Sequence, residues 1–182
     1  MTILKIISLC IITSYTFASQ FSYEQENLLK VVYNIGSKIS STNGLSFEKT
    51  LTSIVLTETS GGKYLIGDSF TKKKVRRHLL KNSLGPFQIR IDTVKYMATK
   101  IKSLAFLKNK SDWYIMNKLL NDYVFGAIIA ANYLKLNYER TGNNYFQSIS
   151  RYNGGKNNVK YYSKVMKNMK IVKKLEKEMF FN

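Results

Sequence analysis

Glu58 is the residue whose type and position bear most directly on chemistry. It continues the spacing of Phe47, Leu51 and Ile54, so on a helix it ends an apolar stripe, and Gly61 and Gly62 follow at once. A carboxyl group on an apolar face is costly to ionise, and partial burial is expected to raise its pKa and keep it protonated near neutral pH. That is the state a general acid needs in order to protonate a glycosidic oxygen. The same pattern also fits a glutamate in a fraying last turn that simply reaches water, since surface glutamates far outnumber catalytic ones. Composition removes most rival chemistries. The one cysteine, Cys10, lies in an apolar run at the start of the chain. The one histidine, His78, closes the run Lys72-Lys73-Lys74-Val75-Arg76-Arg77, which has none of the strand-to-turn context of a nucleophile elbow and reads as a solvated basic loop. Beyond the first 18 residues, thiol nucleophiles, disulfides and clustered His/Cys zinc sites are therefore excluded.

Four segments carry a family resemblance. Glu58-Thr59-Ser60-Gly61, then Ser83-Leu84-Gly85-Pro86-Phe87-Gln88-Ile89, then Ala130-Ala131-Asn132-Tyr133-Leu134, then Arg151-Tyr152-Asn153-Gly154-Gly155 resemble, in that order, the motifs of the soluble lytic transglycosylase domain. That family is similar in fold to goose-type lysozyme, and the resemblance spans roughly residues 45 to 167. It implies an all-α, lysozyme-like single domain with a substrate cleft, acting on the glycan strands of peptidoglycan. The implied activity is cleavage of the MurNAc-GlcNAc β-1,4 bond with formation of 1,6-anhydro-MurNAc ends, needing no metal or organic cofactor.

Residue by residue, Glu58 looks like the family's acid-base glutamate, with Thr59 standing where a serine is usual. Gly85 to Gln88 resembles the Gly-Leu-Met-Gln segment that lines the sugar cleft, which implies Gln88 as a hydrogen-bonding partner of substrate. Pro86-Phe87 departs from Leu-Met, with Phe87 expected to keep an apolar wall and Ser83 expected in the same substrate-binding set. Tyr152-Asn153 matches the Ala-Tyr-Asn-Ala-Gly turn, with Arg151 and Gly154 in place of the alanines. There the resemblance implies a tyrosine hydroxyl contacting the glutamate and an asparagine ordering the site. Taken singly, Gln88 also reads as a surface amide, Tyr152 as a core aromatic, and Asn153-Gly154-Gly155 as an ordinary turn. Ordinary glycosidases flank the bond with two carboxylates, whereas the matched motifs provide one. A hydrolytic lysozyme using Asp68 as the second carboxylate, and an inactive wall-binding component of a secretion or conjugation apparatus, are the alternatives.

The elements that must position these groups read as helices almost throughout, with no repeat and no linker. Leu28, Val31, Val32, Ile35 and Ile39 form one stripe, and Phe47, Leu51, Ile54 and Val55 a second, on a helix that Ser46 could cap. Val94, Met97, Ile101 and Leu104 mark a third helix, with Asp92 or Thr93 near its start. Trp113, Met116 and Leu120 begin a fourth segment, and the run from Tyr123 to Tyr138, apolar on most sides, suits a helix in the middle of the domain. Val159, Tyr162, Val165 and Met169 give a C-terminal helix. Between them lie a basic, strand-poor stretch at about residues 63 to 86 and the polar turn after Tyr152, where function is expected to sit.

The 182 residues suit one domain. Residues 1–18 read as a signal peptide: Lys5 supplies a positive start, Ile6 to Phe17 is almost unbroken apolar sequence, and Thr16-Phe17-Ala18 offers small residues for cleavage. Twelve helical residues reach about 18 Å against a hydrocarbon core of roughly 30 Å, so no lasting membrane span is expected. The domain proper is then 19–182, with the periplasm as its expected location. The net charge of +18 asks for an acidic partner; nucleic acid, anionic lipid and the carboxylate-bearing peptides of the cell wall all qualify, and export disfavours the first. The Lys72 to Arg77 cluster lies in an interval between Glu58 and Gln88 longer than is common in the family, read as a solvated insertion or as a contact with acidic stem peptides or a membrane surface. N-terminal sequencing of the exported protein should begin near Ser19; an intact Met1 on a membrane-embedded form would refute the cleaved leader.

Overall fold

The computed structural model describes residues 21–67 and 78–177. The expected leader with Cys10, the alternative carboxylate Asp68 and the Lys72 to Arg77 cluster lie outside the described residues. The described chain is all-α: helices α1 (Tyr23–Lys38), α2 (Glu48–Thr59), α3 (Ile91–Lys100), α4 (Asp112–Asn121), α5 (Tyr123–Arg140), α6 (Tyr145–Tyr152) and α7 (Val159–Leu175), with 3₁₀ helices at Leu79–Lys81 and Lys102–Asn109. Among the described residues β-structure is limited to isolated bridges, Ser40 with Ser46, Ile66 with Leu84, and Leu84 with Ile89.

Local chemistry sets most of the boundaries. Ser22 and Gln25 form a reciprocal capping box at the start of α1. Asp122 caps α5 by accepting from the Phe125 N–H at 2.9 Å, and the same carboxylate takes the Lys118 ammonium at 2.8 Å; Lys118, then the backbone N–H of Phe125, holds its pKa below the usual carboxylate range. Ser46 does not cap α2. It pairs with Ser40 instead, and Phe47 occupies the cap position without a side-chain bond. The third helix stops at Lys100, because Ile101 turns extended and the chain tightens into the 3₁₀ helix that buries Leu104 and Leu107.

Helix α5 is the hub, packing on α1, α2, α4 and α6. Its Gly126, Ala127, Ala130 and Ala131 let neighbours approach closely, while Ile129 and Leu134 are fully buried. Helix α2 is enclosed by α1, α5 and α7, and every residue from Thr50 to Leu56 is buried. Burying Leu51, Ile54 and Val55 stabilises the fold by about 1.5–3 kcal/mol each, but the buried hydroxyls of Thr52 and Ser53 need partners. They find them within the helix, donating to the carbonyls of Glu48 at 2.7 Å and Lys49 at 2.6 Å. On α4 the register differs from the expected stripe: Ile115 and Leu119 are in the core, and Trp113 stands 58% exposed. Helix α6 was not among the expected elements; Asn144 caps it and Ile149 fixes it in the core. No helix among the described residues is long and apolar enough to cross a membrane.

Of the glycines within the described helices, Gly36 of α1 has the tightest surroundings: a Cβ there would stand 2.6 Å from the Cα and 2.8 Å from the N of Glu48. On an exposed helix, Gly to Ala gains roughly 0.5–1 kcal/mol. At Gly36 the clash is with backbone, which must shift, so Gly36→Ala should lower stability by about 1–3 kcal/mol. A denaturant midpoint at or above the wild-type value would show that α1 and α2 can part without cost.

Candidate active site

Helix α2 carries Glu58 to the edge of the core. Phe47, Leu51 and Ile54 are at most 1% exposed and share its face, so Glu58 is the next position on that stripe, and it is half-buried. The helix stops directly beyond it. Ser60 adopts the left-handed conformation at φ 53°, and the N–H groups of Ser60 and Gly61 return to the Leu56 and Val55 carbonyls at 3.2 and 3.3 Å.

Across from α2 lies a tight turn whose ends, Leu84 and Ile89, exchange both backbone hydrogen bonds at 3.0 Å. Gly85 opens it at φ 71°, so close to α4 that a Cβ would meet the Leu119 carbonyl oxygen at 2.1 Å; no other residue fits. Gln88 closes it at φ 50°, an uncommon conformation for a residue with a side chain. Its backbone N–H and its side-chain Nε2 both donate to the Gly85 carbonyl at 3.0 Å. Gly67 leaves room for the amide oxygen, since a Cβ there would fall 1.9 Å from Oε1.

Two hydroxyls fasten this turn to the helices. Thr59, beside Glu58 and 1% exposed, places Oγ1 2.9 Å from the Pro86 carbonyl and 3.1 Å from that of Val55, sharing one proton between them, and accepts from the Gly62 N–H at 2.9 Å. Tyr152 at the end of α6 donates to the Phe87 carbonyl at 3.0 Å. Tyr152 is thus placed against the turn, with its ring 5.3 Å from that of Tyr133. The hydroxyl bonded to the glutamate is Tyr161 of α7, which donates to Glu58 Oε1 at 2.5 Å. Burial first, and the Glu58 charge second, push both phenols above the ordinary tyrosine value. Each remains a donor throughout the physiological range.

These groups surround a cavity of about 270 Å³ lined by Glu58, Ser83, Gln88, Tyr133, Tyr152 and Asn153, with Ile89, Arg90, Thr93 and Gly154 completing it. A second cavity of about 210 Å³ shares Glu58 and Asn153 with the first and adds Thr57, Asn158, Lys160, Tyr161 and Lys164. Glu58 is the sole carboxylate among the described residues lining either. Of the residues expected from sequence, Glu58, Ser83, Gln88, Tyr152 and Asn153 meet at one cavity. Phe87 does not: its ring is 1% exposed and packs toward Gly126 of α5, where a Cβ would come within 3.1 Å, so its contribution is the carbonyl that anchors Tyr152. His78 stands apart, exposed and capping the 3₁₀ turn at Leu79–Lys81. Among the described residues no group of acidic, histidine or cysteine side chains is arranged to hold a metal ion. Tyr161 and Tyr133 were missed as site residues. For Tyr161 the signal was its place on the buried face of α7, where Tyr162 had been expected. No family model matches the chain, and no curated protein or solved structure matches it either.

The raised phenol of Tyr161 has a stability consequence. Its folded pKa lies above the unfolded value near 10, so its contribution is complete below about pH 10 and is lost as pH rises beyond it. Thermal midpoints of wild type should therefore fall more steeply above pH 10 than those of Tyr161→Phe. Parallel curves would place the hydroxyl in contact with water.

Proposed function

We propose that the chain is a peptidoglycan lytic transglycosylase of the lysozyme-like superfamily, exported to the periplasm, with Glu58 as its single acid-base group. The observation that carries this reading is one half-buried carboxylate, bonded by a phenol, where two polar cavities meet without a second described carboxylate on their walls. The order of the four motif segments supports it independently.

In this reading a glycan strand lies along the two cavities with the scissile bond at Glu58. Protonated Glu58 donates to the leaving glycosidic oxygen while the substrate's own N-acetyl group steadies the cation-like sugar. The carboxylate so formed is stabilised by the Tyr161 hydroxyl, because a hydrogen bond to the charged form favours it. Glu58 then takes the proton of the muramoyl C6 hydroxyl, which closes on C1. The proton returns to Glu58, one C–O bond has broken and one has formed, and no water is consumed. Gln88 and Asn153 are placed to bond substrate amides and hydroxyls. Tyr152 acts as a positioning residue that holds the turn carrying Gln88.

Glu58→Gln keeps the shape but cannot deliver a proton, so release of fragments from purified sacculi should fall by roughly a hundred- to ten-thousandfold with an unchanged circular dichroism spectrum. Activity within a few-fold of wild type would remove Glu58 from the mechanism. The products should carry anhydro ends, lighter by one water, about 18 Da, than hydrolytic ends and inert to borohydride. Predominantly reducing muramic acid ends would replace the transglycosylase by a hydrolase.

A further inference from the structure

The second cavity has a chemistry the glycosidic reaction does not need. Of the side chains other than Glu58 that form it, most are already engaged. Thr57 donates to the Ser53 carbonyl at 2.7 Å and accepts from Asn168 at 2.9 Å. Asn158 accepts from the Tyr161 N–H at 3.0 Å and donates to Asn153 at 3.1 Å. Tyr161 is committed to Glu58. The remaining polar groups are the ammonium ions of Lys160 and Lys164, both exposed and neither paired with a carboxylate among the described residues.

These lysines stand four residues apart on α7, where Cβ atoms lie about 5–6 Å from each other, so the two like charges repel. An anionic group between them relieves that repulsion and meets two donors at once. Lys160 and Lys164 line the same cavity as Glu58 and Tyr161, so whatever they hold lies in the cavity that the reacting carboxyl group also lines. A neutral sugar ring can accept hydrogen bonds from two ammonium ions but does not neutralise their charge, whereas a carboxylate does both.

Resting on the reading of Glu58 above, we infer that Lys160 and Lys164 form a subsite for a carboxylate on the peptide branch of the polymer cut at Glu58. Wall glycan carrying peptides is then favoured over bare glycan, and the preference belongs to this lysine pair and not to the general positive charge of the protein.

The test compares KM on glycan strands bearing their peptides with KM on the same strands stripped of peptides. Wild type should show KM about tenfold lower on the peptide-bearing strands, the sum of two modest charge interactions, and Lys160→Gln/Lys164→Gln should erase that preference. Lys167→Gln/Lys170→Gln, the same charge removed further along α7, should keep it. Absence of a preference in wild type, its persistence in the first double variant, or its equal loss in the second would overturn the subsite. So would sedimentation of wild type with phosphatidylglycerol vesicles that the first double variant abolishes, which would assign the pair to a membrane. Calorimetric titration with a soluble tripeptide bearing two free carboxylates reads the subsite without cleavage. Tripeptide binding lost in Lys160→Gln/Lys164→Gln, in a protein that cuts neither strand, would sustain the anion site and reject the role of Glu58. Cleavage without tripeptide binding would do the reverse.

Discussion

Between Thr50 and Leu56 helix α2 has no exposed side, and the rest of the molecule is arranged around that enclosure. A helix wrapped by α1, α5 and α7 has no amphipathic freedom, so its buried hydroxyls must find partners inside the fold, Thr52 and Ser53 on the helix's own carbonyls and Thr50 on the Tyr145 hydroxyl, and its polar end must emerge where the wrapping stops. Glu58 is that end. The enclosure fixes the direction in which the carboxylate leaves the core, and α7, packed along the same helix, supplies the Tyr161 hydroxyl that meets it. Position and hydrogen bonding of the acid are therefore both consequences of one packing decision.

The opposite wall is built on different terms. The turn from Leu84 to Ile89 is anchored by burial at Leu84, Phe87 and Ile89, the Phe87 ring going inward against α5, but it has no helical ladder to set its shape. Its shape depends on Gly85, which nothing larger can replace beside Leu119, and on Gln88 in a left-handed conformation with two bonds to one carbonyl. An enclosed helix thus faces a buried turn whose shape is set at Gly85 and Gln88, and the cavity lies between them.

Much of this was legible in the sequence because burial leaves a periodic trace. The stripes of α1 and α2 and the nearly all-apolar α5 were plain, and Glu58 stood out as a charge at the end of a core stripe. What was not legible depended on choices that neighbouring residues make almost equally well. Trp113 has the stronger apolar side chain, yet the core takes Ile115 and Leu119. Tyr161 and Tyr162 are the same residue type one position apart, and one step of helical rotation sends one of them to the glutamate. Phe87 resembles a cleft wall in sequence and is a core residue in space, because only the fold reveals the gap left by Gly126. Helix α6 is only eight residues long and went unread, although its amphipathic pattern and the Asn144 cap were there to be read.

The two hydroxyls that fasten the turn, those of Thr59 and Tyr152, end on the carbonyls of Pro86 and Phe87, which belong to consecutive peptide units. The spacing between the α2 wall and the α6 wall is consequently referred to a single stretch of covalent backbone, in which adjacent Cα atoms are held about 3.8 Å apart. A displacement of that stretch therefore carries both hydroxyl anchors with it, so the two walls move together rather than independently.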